Sequence, residues 1–374
     1  MKKMLSTLLA GAILFLSACG SNAPAPAAAD VTPETSAVTE NPDSQETADT
    51  QESASLPENA DSTQAAEGAV IGIAWRADPD SEFFTNICRS VEAAGGTWVM
   101  LDQVFSPDLP YDDQGRLTAG VAETGALDES SAKYLRCNTW RGSNAADAVQ
   151  DVSAVLFTGG EDISPTLYYV PEEWHGIEEE RDYNAERDVS DYLTMTYCLD
   201  QDIPMMGFCR GMQMLAVVSG GEVIQDIPTY FDGLSLDYQY EHRNQKATPD
   251  SYRDYAPHTV EVDPDSLLYD MVGTATLSGC PSWHHQAAKS VENTRLVVTG
   301  TTETEGIPMI EAIERTDKTF AVGVQFHPEA ALVKNLDDAE NKADYLDHDT
   351  ALSVFQYLVQ GRFASGGYAA ENAA

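Results

Sequence analysis

The stretch IPMMGFCRGMQMLAVVSGG, residues 203–221, decides how the rest of the chain is read. Ile203-Pro204-Met205-Met206 is a short apolar run suited to a buried strand. Gly207-Phe208-Cys209-Arg210-Gly211 then has the G-x-nucleophile-x-G spacing of a strand-to-helix elbow, with Cys209 at the nucleophile position. Arg210 to Val218 is rich in helix formers and stops at Gly220-Gly221. The glycines permit a sharp turn that leaves the sulfur at the top of a sheet. It also stands at a helix N-terminus, where the dipole favours a thiolate. A lone cysteine is more often a buried structural residue, but the paired glycines and the strand–turn–helix context favour a nucleophile.

Working outward, the pattern is that of an α/β domain. Ala69 to Ala74 reads as a buried strand, Ser81 to Ala94 as a helix stopped by Gly95-Gly96, and Thr97 to Leu101 as a second strand. Strand, helix, strand at this spacing implies a parallel sheet with right-handed crossovers. Residues 105–136 read as a polar, loop-like insertion. Ser153 to Phe157 is another buried strand, and Asp188 to Leu199 a helix leading into the elbow. Arg295 to Thr299, Met309 to Glu314 and Ala321 to Phe326 form a meander-like set of strands, and Thr350 to Gln360 a closing helix.

Three further stretches suit the chemistry of Cys209. Thr158-Gly159-Gly160-Glu161-Asp162 follows a strand, where glycines let a backbone N–H face the ligand crevice. With the N–H of Arg210 it would make a two-donor oxyanion hole. In Gly323 to Glu329 (GVQFHPE) a strand ends at His327, with Glu329 two residues on. Histidine is the natural base for a thiol, and a carboxylate fixes its tautomer. Ser282-Trp283-His284-His285-Gln286 offers two histidines that either contact substrate or serve structure. No Cys-x-x-Cys spacing or His/Cys cluster suggests zinc, and no carboxylate at ligand spacing accompanies the paired histidines. Neither a metal nor an organic cofactor is expected.

The chain has 61 acidic and 21 basic residues, a formal net charge of −40, which argues against nucleic acid as a partner. Met1-Lys2-Lys3, an apolar run from Leu5 to Leu16, and Leu16-Ser17-Ala18-Cys19 read as a secretory signal, residues 1–18, whose end resembles a lipoprotein lipobox. The resemblance implies lipid on Cys19 and anchoring to the outer face of a bacterial cell membrane. Residues 19–67 hold no aromatic residue, Lys or Arg and read as a disordered acidic tether. The folded domain is expected over 68–365, with a flexible tail at 366–374. Five cysteines remain beyond Cys19: Cys88, Cys137, Cys198, Cys209 and Cys280. An odd number leaves at least one thiol unpaired.

These pieces together resemble a known family. TGGEDISPTLY (158–168), Glu186-Arg187-Asp188, residues 207–226, Glu241-His242-Arg243, Ala256-Pro257-His258, His284 to Lys289 and residues 323–329 occur in the order found in class I glutamine-amidotransferase-like hydrolases of the peptidase C26 type. Within that type the chain is most similar to gamma-glutamyl-gamma-aminobutyrate hydrolases. The resemblance implies a flavodoxin-like, mostly parallel sheet flanked by helices, and a Cys209–His327–Glu329 triad. It implies oxyanion donors from the backbone of Gly160 and Arg210, and substrate contacts from Gln213, Glu161 and His285. It also suggests a homodimer, which no residue pattern here marks. The chain departs from the family in its 105–136 insertion, its amino-terminal signal and tether, and Trp283 where an aliphatic residue is usual.

The reading that follows is hydrolysis of small gamma-glutamyl amides through a gamma-glutamyl thioester on Cys209. Alternatives left open are a gamma-glutamyl peptide or poly-gamma-glutamate hydrolase, and a non-catalytic surface lipoprotein holding a ligand in the same pocket.

Overall fold

The computed structural model describes residues 69–244, 255–337 and 345–363. The signal, Cys19, the tether and the 366–374 tail lie outside the described residues. The first crossover joins β1 (Val70–Ile73) through α1 (Glu82–Ala93) to β2 (Thr97–Met100), with β1 and β2 parallel. Ser81 caps α1 by accepting a hydrogen bond from the Phe84 N–H at 3.3 Å. Its apolar residues at helical spacing, Phe83, Phe84, Ile87 and Val91, are buried.

The predicted 105–136 insertion is not all loop. Its end forms α2 (Glu129–Asn138), followed by the single turn α3 (Ala145–Ala148). Only Ser131, Ala132 and Leu135 of α2 are buried, too thin an apolar stripe to announce a helix in sequence. Next come β3 (Ala154–Phe157), α4 (Ala185–Gln201), β4 (Met205–Phe208) and α5 (Arg210–Val218). Every residue of β3 and β4 is buried, as expected of strands covered on both faces.

Past α5 lie β5 (Glu222–Ile224), α6 (Ile227–Gly233), β6 (Ala256–Val262), α7 (Leu267–Val272), β7 (Thr276–Ser282) and β8 (Ala287–Ser290). The long antiparallel pair β9 (Leu296–Thr304) and β10 (Ile307–Arg315) follows, then β11 (Ala321–Val324), α8 (Pro328–Asp337) and α9 (His348–Val359). One nine-stranded sheet runs β2-β1-β3-β4-β11-β10-β9-β6-β7. Its first five strands are mutually parallel. Their order is the flavodoxin-like one, so the fold is the expected α/β class. The remaining four extend the sheet antiparallel. Of these, β9 and β10, with β11, form the meander anticipated from the sequence, whereas β6 and β7 were not anticipated. No helix of the described residues is long and apolar enough to cross a membrane.

Alternation along the strands divides the core. Met206, Phe208 and Leu156 pack on the face covered by α1, α8 and α9. Met205, Val155 and Phe157 pack on the face covered by α4 and α5. The carboxyl ends of β3, β4 and β11, side by side, therefore present Thr158 to Gly160, Cys209 and His327 at one edge of the sheet.

Two glycines allow α5 to sit this close. A Cβ on Gly207 would lie 2.5 Å from the Gly211 carbonyl carbon, and one on Gly211 would lie 2.5 Å from the Phe157 carbonyl oxygen. Backbone atoms cannot yield as a side-chain tip can. Gly211→Ala is expected to cost about 1–3 kcal/mol in urea unfolding. An unchanged midpoint would show that α5 does not press on β3.

Candidate active site

Cys209 ends β4 and opens α5 in a left-handed conformation, φ +50° and ψ −106°. Such geometry costs a non-glycine residue roughly 1–3 kcal/mol and persists only where its surroundings impose it. Here the Cys209 N–H donates to the Val324 carbonyl at 2.8 Å, and the Cys209 carbonyl accepts from the Gln213 N–H at 3.1 Å. The elbow expected from G-x-C-x-G is thus clamped between β11 and the first turn of α5.

His327 Nδ1 lies 2.6 Å from Glu329 Oε1, and both residues are fully buried. With Nδ1 taken, Nε2 is the nitrogen left for Cys209; it has no hydrogen-bond partner here, and the sulfur acts on the ring electrostatically. Phe83 and Tyr255 hold the ring, with centroids 5.5 and 5.2 Å away. Burial alone would lower the His327 pKa, but the Glu329 carboxylate and the Cys209 sulfur outweigh it and raise it from 6.5 to about 9. At neutral pH the ring holds its proton as the cationic partner of the sulfur.

Gly159 packs against both, for a Cβ there would lie 3.0 Å from His327 Cε1 and 3.3 Å from Cys209 Cβ. Its carbonyl accepts from Arg76 Nη1 at 2.7 Å and from Arg187 Nη2 at 2.8 Å. In a trans peptide the next N–H points the opposite way. The two arginines therefore turn the Gly160 N–H away from themselves, while Gly160 itself lines the cleft beside Cys209. Gly160 sits at φ +145°, and a Cβ there would collide with the Arg187 guanidinium. The Arg210 N–H is at the first helical position of α5, where no intrahelical acceptor exists. Its side chain does something the sequence did not disclose. Its guanidinium is fully buried, 2.6 Å from Asp188 Oδ1 and also paired with Asp191, both on α4.

A cleft of about 410 Å³ opens over Cys209, lined among others by Gly160, Glu161, Gln213, Arg243, Trp283 and His285. Gln213 Nε2 donates to the Gln286 carbonyl at 2.9 Å and to Gln325 Oε1 at 3.2 Å. Glu161 is paired with Arg187 and accepts from Asn184 Nδ2 at 3.1 Å. Burial raises its pKa, but Arg187 and Arg210 overcome that and hold it well below the usual carboxylate range. His285 bridges Asp162, at 2.9 Å from Nε2, and Asp226, at 3.1 Å from Nδ1. The three predicted contact residues thus line one cleft, with Glu161 and His285 tied to the protein's own side chains. Trp283, the departure from the family pattern, lies under the Arg243 guanidinium at 5.0 Å, and Arg243 also pairs with Glu180.

Sequence reasoning missed Arg76, the roles of Arg187, Asp188 and Asp191, and a buried group in which His242, His258 and His284 surround Glu311. Three charged residues within one buried helix, α4, were the available signal for the first set. The five described cysteines beyond the amino-terminal segment are all free thiols.

The model of the Peptidase C26 family matches residues 136–329, which carry the elbow, both glycine turns and His327. The chain belongs to the Peptidase C26 family. Protein NtpR of Enterococcus hirae is 33% identical over 199 residues, covering 52% of this chain and 74% of that protein. The gamma-glutamyl-gamma-aminobutyrate hydrolase PuuD of Escherichia coli K12 is 32% identical over 152 residues, covering 40% of this chain and 56% of that enzyme. Among solved structures, the glutaminase domain of a Trypanosoma brucei CTPS aligns at 12% identity with a TM-score of 0.42, over 78% of this chain and 94% of that one. In this C26 chain Arg76, Phe83 and Glu82 to Ala93 as a whole lie before the matched region, so part of the support for the triad comes from outside it.

Two outcomes test the site. Arg210→Ala leaves the buried Asp188 without its cation and Asp191 with only Arg187, 3.4 Å away, and should lower stability by about 3–5 kcal/mol, whereas Arg210→Met with Asp188→Asn should recover most of it. Equal losses in urea for both variants would refute the pairing. The second concerns pH. His327 has a folded pKa above its unfolded value, so its stabilisation is complete below pH 6.5 and is lost as pH rises through about 9. The stability difference between wild type and His327→Gln should shrink across that window, by at most about 3 kcal/mol. A pH-independent difference would rule out the raised pKa.

Proposed function

We propose that the protein hydrolyses gamma-glutamyl amides through a Cys209–His327–Glu329 triad. The carrying observation is the strained Cys209 elbow facing a buried imidazole whose far nitrogen is held 2.6 Å from Glu329. Family membership supports hydrolase chemistry. The names of relatives that act on gamma-glutamyl-gamma-aminobutyrate support the glutamyl side of the substrate. Glutamine-like recognition also suits a cleft with Gln213 on its floor and the Arg243–Glu180 pair on its wall. That pair offers one charge of each sign, matching the α-carboxylate and α-ammonium of a glutamyl group.

The sulfur of Cys209 attacks the side-chain carbonyl carbon, and the carbonyl electron pair moves onto its oxygen. The N–H groups of Gly160 and Arg210 hold that oxyanion, each worth on the order of 3 kcal/mol. The His327 imidazolium gives its Nε2 proton to the leaving nitrogen. The C–N bond breaks, and a gamma-glutamyl thioester remains. Neutral His327 then takes a proton from water, whose oxygen attacks the thioester. Glutamate leaves, and the sulfur–imidazolium pair is restored. Glu329 keeps the ring in one tautomer and orientation throughout.

The test is glutamate release from a panel of gamma-glutamyl amides, peptides and poly-gamma-glutamate. Wild type should release glutamate and carry a mass increment of one glutamyl group on Cys209 after rapid quenching. Cys209→Ala should show neither, and Glu329→Gln should lose on the order of 10³–10⁴ in kcat. Identical behaviour of wild type and Cys209→Ala across the panel would overturn the proposal.

A further inference from the structure

Glu311, in the middle of β10, is fully buried and faces three imidazoles from three other parts of the chain. His258 comes from β6, His284 from the turn after β7, and His242 from the segment preceding β6. His242 Nδ1 is 3.3 Å and His284 Nε2 3.9 Å from Glu311 Oε1, and His258 Nε2 is 3.2 Å from Oε2. None meets strict hydrogen-bond alignment, but His258 and His242 lie close enough to Glu311 to hold its carboxylate ionised. All three nitrogens and both carboxylate oxygens are buried without a hydrogen-bond partner. Five buried polar atoms gathered around one carboxylate are costly unless a cation satisfies them.

The outward nitrogens of the same rings are all engaged. His242 Nε2 is 2.8 Å from Thr304 Oγ1, His258 Nδ1 is 3.4 Å from the Glu241 carbonyl, and His284 Nδ1 is 2.7 Å from the Gln286 carbonyl. A carbonyl only accepts, so His258 and His284 carry their proton on Nδ1. Bare Nε2 lone pairs directed at a carboxylate require a cation between them, either a second proton, which Glu311 favours on His258, or a metal ion. Imidazoles that donate outward to carbonyls and present a bare nitrogen inward are the arrangement found around metal ions.

We propose that His242, His258, His284 and Glu311 form a zinc site. One ligand atom from each of His242, His284 and Glu311 lies within 4.8 Å of the others. His258 stands outside that trio, 3.2 Å from the other carboxylate oxygen, and would join as the fourth ligand when the group closes on the ion. Three imidazole nitrogens and one carboxylate oxygen suit tetrahedral zinc at about 2.0–2.2 Å, whereas calcium and magnesium prefer all-oxygen shells. The His242, His284 and Glu311 side chains are at most 2% exposed and that of His258 is 7% exposed, so the site is closed and the ion structural. Its effect on the cleft is indirect. His284 is flanked by Trp283 and His285 on the cleft wall, and the Gln286 carbonyl that holds its ring also receives Gln213 Nε2. The ion therefore pins this wall to β6 and β10.

The test uses the full chain without a histidine tag, stripped with a chelator and titrated with zinc chloride, then with cobalt chloride. One ion per chain should bind, the melting temperature should rise by more than about 5 °C at saturating zinc, and the cobalt form should show tetrahedral d–d bands without a thiolate-to-cobalt band. Glu311→Gln should lose at least tenfold in zinc affinity, and if that variant does not fold, His258→Gln serves in its place. No uptake by the stripped wild type, an unshifted melting temperature, a thiolate band that places the ion on Cys209, or undiminished affinity in the folded variant would each overturn the proposal.

Discussion

The burial of the Arg210 guanidinium is the constraint from which the rest of the site follows. Arg210 comes directly after the nucleophile, and its backbone N–H is one of the two donors proposed for the oxyanion. Its charge can lie inside the protein only beside Asp188 and Asp191. Those aspartates fix α4 against α5, and Asp188 also accepts from the backbone and side chain of Ser164. One residue earlier, Arg187 reaches from α4 to the Gly159 carbonyl and to Glu161. The turn after β3, the turn after β4 and the helix between them are thus joined by one charged network. Burial pushes the Asp188 carboxyl upward even with Arg210 beside it, so the network adds little net stability. Its contribution is geometric, since it fixes the turn after β3 and the turn after β4 relative to each other.

The sheet divides its labour along its width. The parallel half supplies the groups of the proposed triad, because the carboxyl ends of β3, β4 and β11 lie side by side. The antiparallel half supplies the cleft wall and the Glu311 cluster. β10 belongs to both, pairing with β11 on one side and β9 on the other. Through it the wall that carries His285 is held at a set distance from the triad.

Reading the chain alone reached the elbow, the crossover strands, His327 with Glu329 and the Gly159-Gly160 turn. Each of these is a local pattern, in which neighbours in sequence are also neighbours in space. α5 was legible to its last residue because a glycine pair stops it. Residues 129–138 were not legible as a helix, because only Ala132 and Leu135 mark an apolar face. The Arg76 contact with Gly159 and the gathering of His242, His258, His284 and Glu311 were hidden for another reason. Their partners are 27 to 83 positions apart, and no spacing rule covers groups that meet only through sheet pairing. No carboxylate stands near the paired histidines in sequence, and Glu311 reaches them only because β10 lies in the same sheet.

The position of β4 has a consequence for how the molecule forms. Its two neighbours are β3, ending at Phe157, and β11, beginning at Ala321, so the strand carrying the nucleophile cannot be enclosed until most of the domain has been made. Pairing across such a separation is slow, because chain entropy is lost before the contact rewards it. The Cys209 N–H reaches its acceptor, the Val324 carbonyl, only once β11 has paired with β4. Shorter or partly folded chains would hold an ordinary cysteine at that position, and reactivity would switch on with completion of the sheet.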